Sequence, residues 1–325
     1  MNVITKFLEN YSYRFPKGYP DMNNLEDKAL LYEILAELNI SEQDEVKPSS
    51  NELTSEDINS LLKAFNQIKE PYSRYLSVFY YFDPNSLGTV SEVLLAKLLA
   101  KVPGVTTSHV GGGQGLADII VNGHKISLKT TASDKAIGLG SDEVNVNAED
   151  SKEIVRNLNL VYNNNPELRN ITVKELKTQI PSDIANKIDA RIQSIAKKLS
   201  GDQNEEFFVW VEKISDKNKI LNKLVIHVLK YDYNKIIEEF NDSILTLTPK
   251  AWGLVSTDKV PLVVADTSGK LLNITPAFVR NSSKDGKTID IPLDIKIDKS
   301  PEQIRTEVPD QFFSALDSVY SSIFK

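Results

Sequence analysis

The chain has no cysteine, and this removes disulfides, iron–sulfur clusters and thiolate zinc sites together. Histidine is nearly as scarce. His109, His124 and His227 are the three, and their spacing makes no ligand pair. A catalytic metal would therefore be held mainly by oxygen, which favours Mg²⁺ or another hard cation. No apolar run is long enough to span a bilayer, and no signal peptide opens the chain. The expectation is a soluble, cytoplasmic protein with no membrane partner. A basic excess is missing too. The net charge of −7 argues weakly against a nucleic-acid protein. Its distribution softens that argument: residues 1–85 hold 8 Lys+Arg against 14 Asp+Glu, whereas the rest of the chain holds 30 against 31. Most of the acidity is N-terminal.

What is present suffices for a large core: 325 residues, 41% of them hydrophobic, make one elaborated domain or two. Leu31, Ile34, Leu35 and Leu38 follow a helical period, and a further helix is expected over Ser55–Lys69. Polar residues 41–53, with Pro48, read as a linker, and the aromatic stretch Tyr72–Phe82 is ambiguous. A helix is expected from about Val90 to Lys101. Short strands follow at Val105–Val110, Leu116–Val121 and Lys125–Thr131, and then a polar loop with Gly138 and Gly140. Residues 149–200 read as helices. Ile184, Ile188, Ile192, Ile195 and Leu199 form one stripe, and Pro181-Ser182-Asp183 marks that helix's start. Phe207–Lys213 and Leu221–Tyr231 return to strand. Several short strands are expected over 250–297, and a terminal helix over Asp310–Ile323. Three regions result: helical 1–85, a core over 86–235 with a helical insertion at about 149–200, and β-rich 236–325.

The sharpest local signal is GLADIIVNGHKISLKTT, Gly115–Thr131. Asn122-Gly123 between two apolar runs predicts a two-residue type I′ turn. Val121 then opposes His124, Ile120 opposes Lys125, Ile119 opposes Ile126, and Asp118 opposes Ser127. Alternation puts Asp118, Ser127 and Lys129 on one face and Ile119, Val121, Ile126 and Leu128 on the other. An acid and a lysine meet at the far end of two apolar strands. One reading is a cross-strand ion pair, contributing about 0–1 kcal/mol. The other is a catalytic site, favoured by the continuous Ile119-Ile120-Val121, which suits a strand covered on both faces.

At these residues the chain resembles the PD-(D/E)XK nuclease superfamily. The matching pieces are Glu92 in GTVSEVLLAKLLAKV, Asp118 in LADIIV, Lys129 in ISLKTT and the later strand FFVWVEK. The resemblance covers roughly residues 86–135 and 207–213. It implies an α/β fold: a mixed central sheet flanked by helices, a restriction-endonuclease-like core with helical N-terminal and β-rich C-terminal additions. It also implies Mg²⁺ held by Asp118 and the backbone carbonyl of Leu128, with Lys129 beside the attacking water and the scissile phosphate. The family places an acid two residues before the lysine, and here Ser127 stands there. Some type II restriction enzymes of this superfamily share the S-x-K pattern and take the missing carboxylate from downstream. Glu143 looks like that residue, Glu149 and Asp142 are rivals, and Glu92 is another contributor. Glu92 also fits a capping box with Thr89.

The expected function is a Mg²⁺-dependent endonuclease acting on double-stranded DNA, a type II restriction enzyme working as a homodimer. A repair or recombination nuclease of the same superfamily is the alternative within it. A non-catalytic DNA-binding module, its site decayed at Ser127, is the alternative outside it. Gly111–Gly115 lacks the G-K-[ST] ending of a phosphate loop and leads into a strand, so it reads as a turn. His109 and His124 read as surface residues, and Trp210 and Trp252 as core. Arg280, Lys284, Lys287 and the Lys197-Lys198 pair read as a solvated charged face that could also touch phosphates.

Overall fold

The computed structural model describes residue 27 and residues 52–82, 87–109, 118–141, 148–201, 204–215, 221–248, 251–266 and 271–292. The helix expected around Leu31–Leu38, most of the linker, the Gly111–Gly115 turn, the acids Asp142 and Glu143 and the terminal helix at Asp310–Ile323 lie outside the described residues.

Two helices open the described chain, α1 (Ser55–Phe82) and α2 (Leu87–Ala100). The ambiguous aromatic stretch Tyr72–Phe82 thus continues the first helix. Strands β1 (Thr107–His109), β2 (Ile119–Val121), β3 (His124–Ala132) and β4 (Ile137–Ser141) follow. A helical segment comprises α3 (Ala148–Asn164), a 3₁₀ turn at Pro166–Asn170, α4 (Val173–Leu176) and α5 (Ser182–Ser200). Then come β5 (Glu206–Ser215), β6 (Leu221–Lys230) and α6 (Tyr233–Asn241). The last elements are β7 (Ile244–Thr248), β8 (Ala251–Val255), β9 (Pro261–Asp266), β10 (Leu271–Ile274), α7 (Pro276–Ser282) and β11 (Thr288–Pro292). The protein is mixed α/β, with seven α-helices and two sheets among the described residues. None of the described helices is long and apolar enough to cross a membrane.

Local chemistry accounts for many boundaries. The Asn122 and Gly123 φ angles of 51° and 84° make the primed turn that joins β2 to β3. Helix α5 starts after Pro181 and buries the Ile184/Ile188/Ile192/Ile195/Leu199 stripe, as its period requires. Gly201 ends it at φ 75° and ψ −178°, a conformation open to glycine, its N–H donating to the Lys197 carbonyl. Thr172 and Glu175 close a capping box on α4, and Asp232 accepts the Lys235 N–H at the head of α6. The box expected at Thr89 and Glu92 is not where α2 begins: the helix starts at Leu87 and puts Thr89 inside its first turn.

The larger sheet runs β1-β2-β3-β5-β6-β11. It is mixed, because β3 and β5 pair in parallel across the helical segment while its other neighbours pair antiparallel. One face carries Ile119, Ile126, Leu128, Val209 and Ile226, packed against Leu95 and Leu99 of α2 and Phe65 of α1. The opposite face carries Phe208, Trp210 and Leu229, packed with α3, α5, α6 and α7. Both tryptophans are core residues, Trp210 at 0% and Trp252 at 1% exposure.

The second sheet, β4-β10-β9-β8-β7, corrects the sequence reading of residues 137–141 as a loop. Ile137 and Leu139 alternate with Gly138 and Gly140, and the isoleucine and leucine are buried. Two apolar anchors with glycines between them make a strand once β10 supplies hydrogen bonds, pairing Ile274 with Ile137 and Asn273 with Gly138. The β-rich C-terminal region is therefore completed by a strand from the central region, and its inner face joins the same core as Trp210.

Candidate active site

The hairpin forms with the expected register over three pairs: Val121 with His124, Ile120 with Lys125, and Ile119 with Ile126. It departs at Asp118. The Asp118 N–H donates to the Ile126 carbonyl at 3.0 Å, although Ile126 already faces Ile119. Two successive residues against one is the count of a β-bulge, a device that re-aims a side chain. Here it turns the carboxylate back towards β3. Asp118 Oδ2 accepts the Leu128 N–H at 2.6 Å and stands 3.3 Å from Lys129 Nζ. Asp118 and Lys129 are partly buried, at 20% and 24% side-chain exposure, so the pair is less screened than a surface ion pair.

Leu128 contributes backbone. The N–H and C=O of one residue leave a strand on the same side. Since the Leu128 N–H points at Asp118, its carbonyl leaves β3 on that side too. Its side chain is buried on the opposite, apolar face. Ser127 is half-buried, as are its strand neighbours Lys125 and Lys129.

The parallel partner strand completes this face. Lys125 aligns with Glu206, Ser127 with Phe208, and Lys129 with Trp210. Partners in register point to the same side of a sheet. Lys125 Nζ is 3.1 Å from Glu205 Oε1, whose side chain is only 6% exposed. Glu206 beside it is half-buried. Burial pushes its carboxyl up to about 8; Asp118 and Glu205 add to the rise, while Lys125 and Lys129 oppose it. Three carboxylates and two lysines thus share one end of the β2-β3-β5 face.

Deeper along this face, Trp210 is held on several sides. Its indole N–H donates to Thr131 Oγ1 at 2.9 Å, its ring stacks on His227 at 4.7 Å, and the Arg280 guanidinium lies 5.7 Å from its ring centre. Glu212 joins these groups. One oxygen meets His227 Nε2 at 2.8 Å, and the other accepts from Arg280 Nε at 3.1 Å. Burial alone would raise the Glu212 carboxyl, but hydrogen bonds from His227 and Arg280 outweigh it and hold the group below its ordinary value. Arg280 also donates to the Ser133 carbonyl, so its role is structural as well as charged. Ser283 Oγ lies 2.9 Å from His227 Nδ1, but it too is buried and its hydroxyl bonds the Arg280 carbonyl. The serine–histidine–glutamate row is a core network.

Of the residues singled out in the sequence, Asp118, Ser127, Leu128 and Lys129 come together. Glu92 is half-buried on α2, the helix that covers the opposite, apolar face through Leu95 and Leu99. Glu143 and Asp142 lie outside the described residues, as does the side chain of Glu149. His124 is not a surface residue: its ring is half-buried edge-on to Phe207 at 6.0 Å, with Nε2 3.5 Å from Asp57 Oδ1. Lys198 spends its ammonium on the Leu139 carbonyl at 3.3 Å. The sequence reading missed Glu205 and Glu206. Their signal is an acid pair at the head of the apolar run Phe207–Val211.

Among the described residues, no three His, Asp or Glu side chains are grouped to hold a metal. Among the described residues the fit to a hard cation is therefore to two carboxylates at most, backbone oxygen and water, a set that suits Mg²⁺, which keeps several waters. Asp118, the Leu128 carbonyl side and Glu206 are oxygen donors of that kind. The rise of Glu206 comes first from burial, and the neighbouring Asp118 adds to it. Compared with protein-family models, with curated proteins and with solved structures, the chain gives no match to any of the three.

Proposed function

We propose that this chain is a Mg²⁺-dependent DNA endonuclease with a restriction-endonuclease-like core of the PD-(D/E)XK type. The observation that carries this reading is the bulged Asp118, whose carboxylate is turned onto the Leu128 backbone and Lys129 at 3.3 Å. A bulge and a part-buried ion pair at the end of a hairpin are more than an exposed cross-strand pair requires. The mixed sheet, with an antiparallel hairpin beside a parallel strand, supports it.

In this reading Asp118 and the Leu128 carbonyl hold the cation. Bound there, Mg²⁺ supplies Lewis acidity towards a phosphate oxygen and a charge that acidifies water. The chain's own residues do the rest. Lys129 exchanges its contact with Asp118 for the scissile phosphate and stabilises negative charge as it develops. Trp210, its register partner, is fixed by Thr131 and His227 and gives the lysine stem a rigid wall. Phe208 and Trp210 keep that side of the site dry, which strengthens each charge–charge contact. The substrate is double-stranded DNA cut at a specific site by a homodimer, as in type II restriction, because symmetric sites are matched by two-fold proteins.

A second reading has one observation in its favour. Asp118 already satisfies a backbone N–H and a lysine, as a purely structural carboxylate would in a DNA-binding module without catalysis. Side-by-side digestion of plasmid, branched and single-stranded DNA with Mg²⁺ separates the possibilities. Discrete plasmid fragments support the restriction reading. Preference for branched DNA points to a repair nuclease, and DNA binding without cleavage to the non-catalytic module.

A further inference from the structure

We propose that Glu206 supplies the second carboxylate that position 127 lacks, so that the cation site is assembled from three strands: Asp118 just before β2, the Leu128 carbonyl in the middle of β3, and Glu206 at the head of β5. The inference rests on the nuclease reading of this site and names its missing ligand.

Strand register is the first argument. Glu206 aligns with Lys125 and Phe208 with Ser127, so Glu206 sits diagonally across from the serine on the same face. Diagonal neighbours are about 7–8 Å apart at the backbone, a gap a glutamate's longer side chain narrows. A carboxylate on β5 at this height replaces one on β3 without changing the chemistry of the donor set.

Charge pairing is the second. Lys125 is taken by Glu205 at 3.1 Å, and Lys129 by Asp118 at 3.3 Å. Among the described residues Glu206 makes no ion pair of its own. Lys125 and Lys129 stand nearby, but each is in contact with another carboxylate, so among these residues the half-buried Glu206 has no cation in direct contact, which is costly. The strand it heads is otherwise apolar, with Phe207, Phe208, Val209, Trp210 and Val211 all buried. An apolar residue at 206 would extend that pattern without cost, so the glutamate is a donor that the core itself does not use.

Elimination is the third. Among the acids whose side chains are described, Glu92 stands on the helix covering the other face and Glu205 is already bound to Lys125, while Asp142, Glu143 and the Glu149 side chain lie outside the described residues. Ser127 keeps the space small and uncharged where the family carries its acid. Such a gap suits a side chain arriving from the neighbouring strand.

The test is direct Mn²⁺ binding to the full chain without DNA, read by the electron paramagnetic resonance signal of free Mn²⁺. The unaltered protein is compared with Asp118→Asn, Glu206→Gln, and Glu206→Gln combined with Ser127→Glu; thermal melts confirm that each is folded. The expected result is one ion per chain, weakened roughly tenfold or more by either single change and regained when the acid is moved to position 127. Binding lost in Asp118→Asn but unchanged in Glu206→Gln overturns the role of Glu206 and leaves the nuclease reading standing. No Mn²⁺ bound by the unaltered chain overturns both.

Discussion

Asp118 and Lys129 meet at 3.3 Å because a bulge turns the aspartate back onto its own hairpin. Alternation along two flat strands brings the two residues to one face, and the bulge sets which backbone group the aspartate also meets. Asp118 Oδ2 also takes the Leu128 N–H at 2.6 Å, so one oxygen ties the backbone and the lysine together. The geometry positions the lysine and keeps the second carboxylate oxygen for another partner.

Asp118 also contributes to stability, separately from any chemistry. Replacing it with alanine leaves the Leu128 N–H without its acceptor and Lys129 without its anion. The expected cost is about 1–3 kcal/mol. Urea unfolding of the variant in EDTA measures it, and an unchanged midpoint would show that the contact is not maintained in solution.

Much of this site was legible because it is local. Asn122-Gly123 sets the turn, and alternation on either side sets the faces, so Asp118 and Lys129, 11 residues apart, could be paired from the chain alone. The bulge was not legible, since no glycine or proline marks it. Glu205 lies 80 residues from Lys125, and the parallel register that joins β3 to β5 is set by the helices between them. The same limit hid β4. Its residues Ile137–Ser141 look like a glycine loop until Leu271–Ile274 pairs with them. The amphipathic α5 was readable from its period, whereas the aromatic end of α1 was ambiguous because its apolar residues fit either period.

Glu206 makes the metal-free protein sensitive to alkali. Burial raises its carboxyl from the ordinary 4.5 to about 8 in the folded state. Between those values the unfolded chain has released the proton and the folded chain retains it, so stability falls as pH rises and levels off above about 8. In EDTA, urea midpoints should drop from pH 5 to pH 8.5, and Glu206→Gln should flatten that drop. An equal drop in the variant would place the titrating group elsewhere.

Glu212 is the keystone of the buried network beneath the site. It accepts from both His227 and Arg280 with 4% of its side chain exposed. Glu212→Ala leaves that histidine and arginine without their anion, a loss expected to cost about 3–5 kcal/mol. Chemical denaturation gives the value, and a cost under 1 kcal/mol would mean the network contributes little.

Gly201 couples the end of α5 to the site. Its φ is 75°, and a Cβ there would lie 2.8 Å from Glu205 Oε2, the carboxylate that pairs with Lys125. Gly201→Ala should cost about 1–3 kcal/mol through the backbone alone, because φ 75° with ψ −178° is a conformation essentially reserved for glycine. Wild-type stability in this variant would show that the helix end relaxes freely.

The central claim is that Lys129 acts on a phosphodiester. Single-turnover cleavage of supercoiled plasmid in saturating Mg²⁺, comparing the unaltered chain with Lys129→Ala, tests it most directly. Mg²⁺-dependent cleavage that slows roughly a hundredfold or more in the variant, with the fold intact by circular dichroism, is the predicted result. Cleavage at the same rate in Lys129→Ala, or none by the unaltered protein on any DNA, would contradict it.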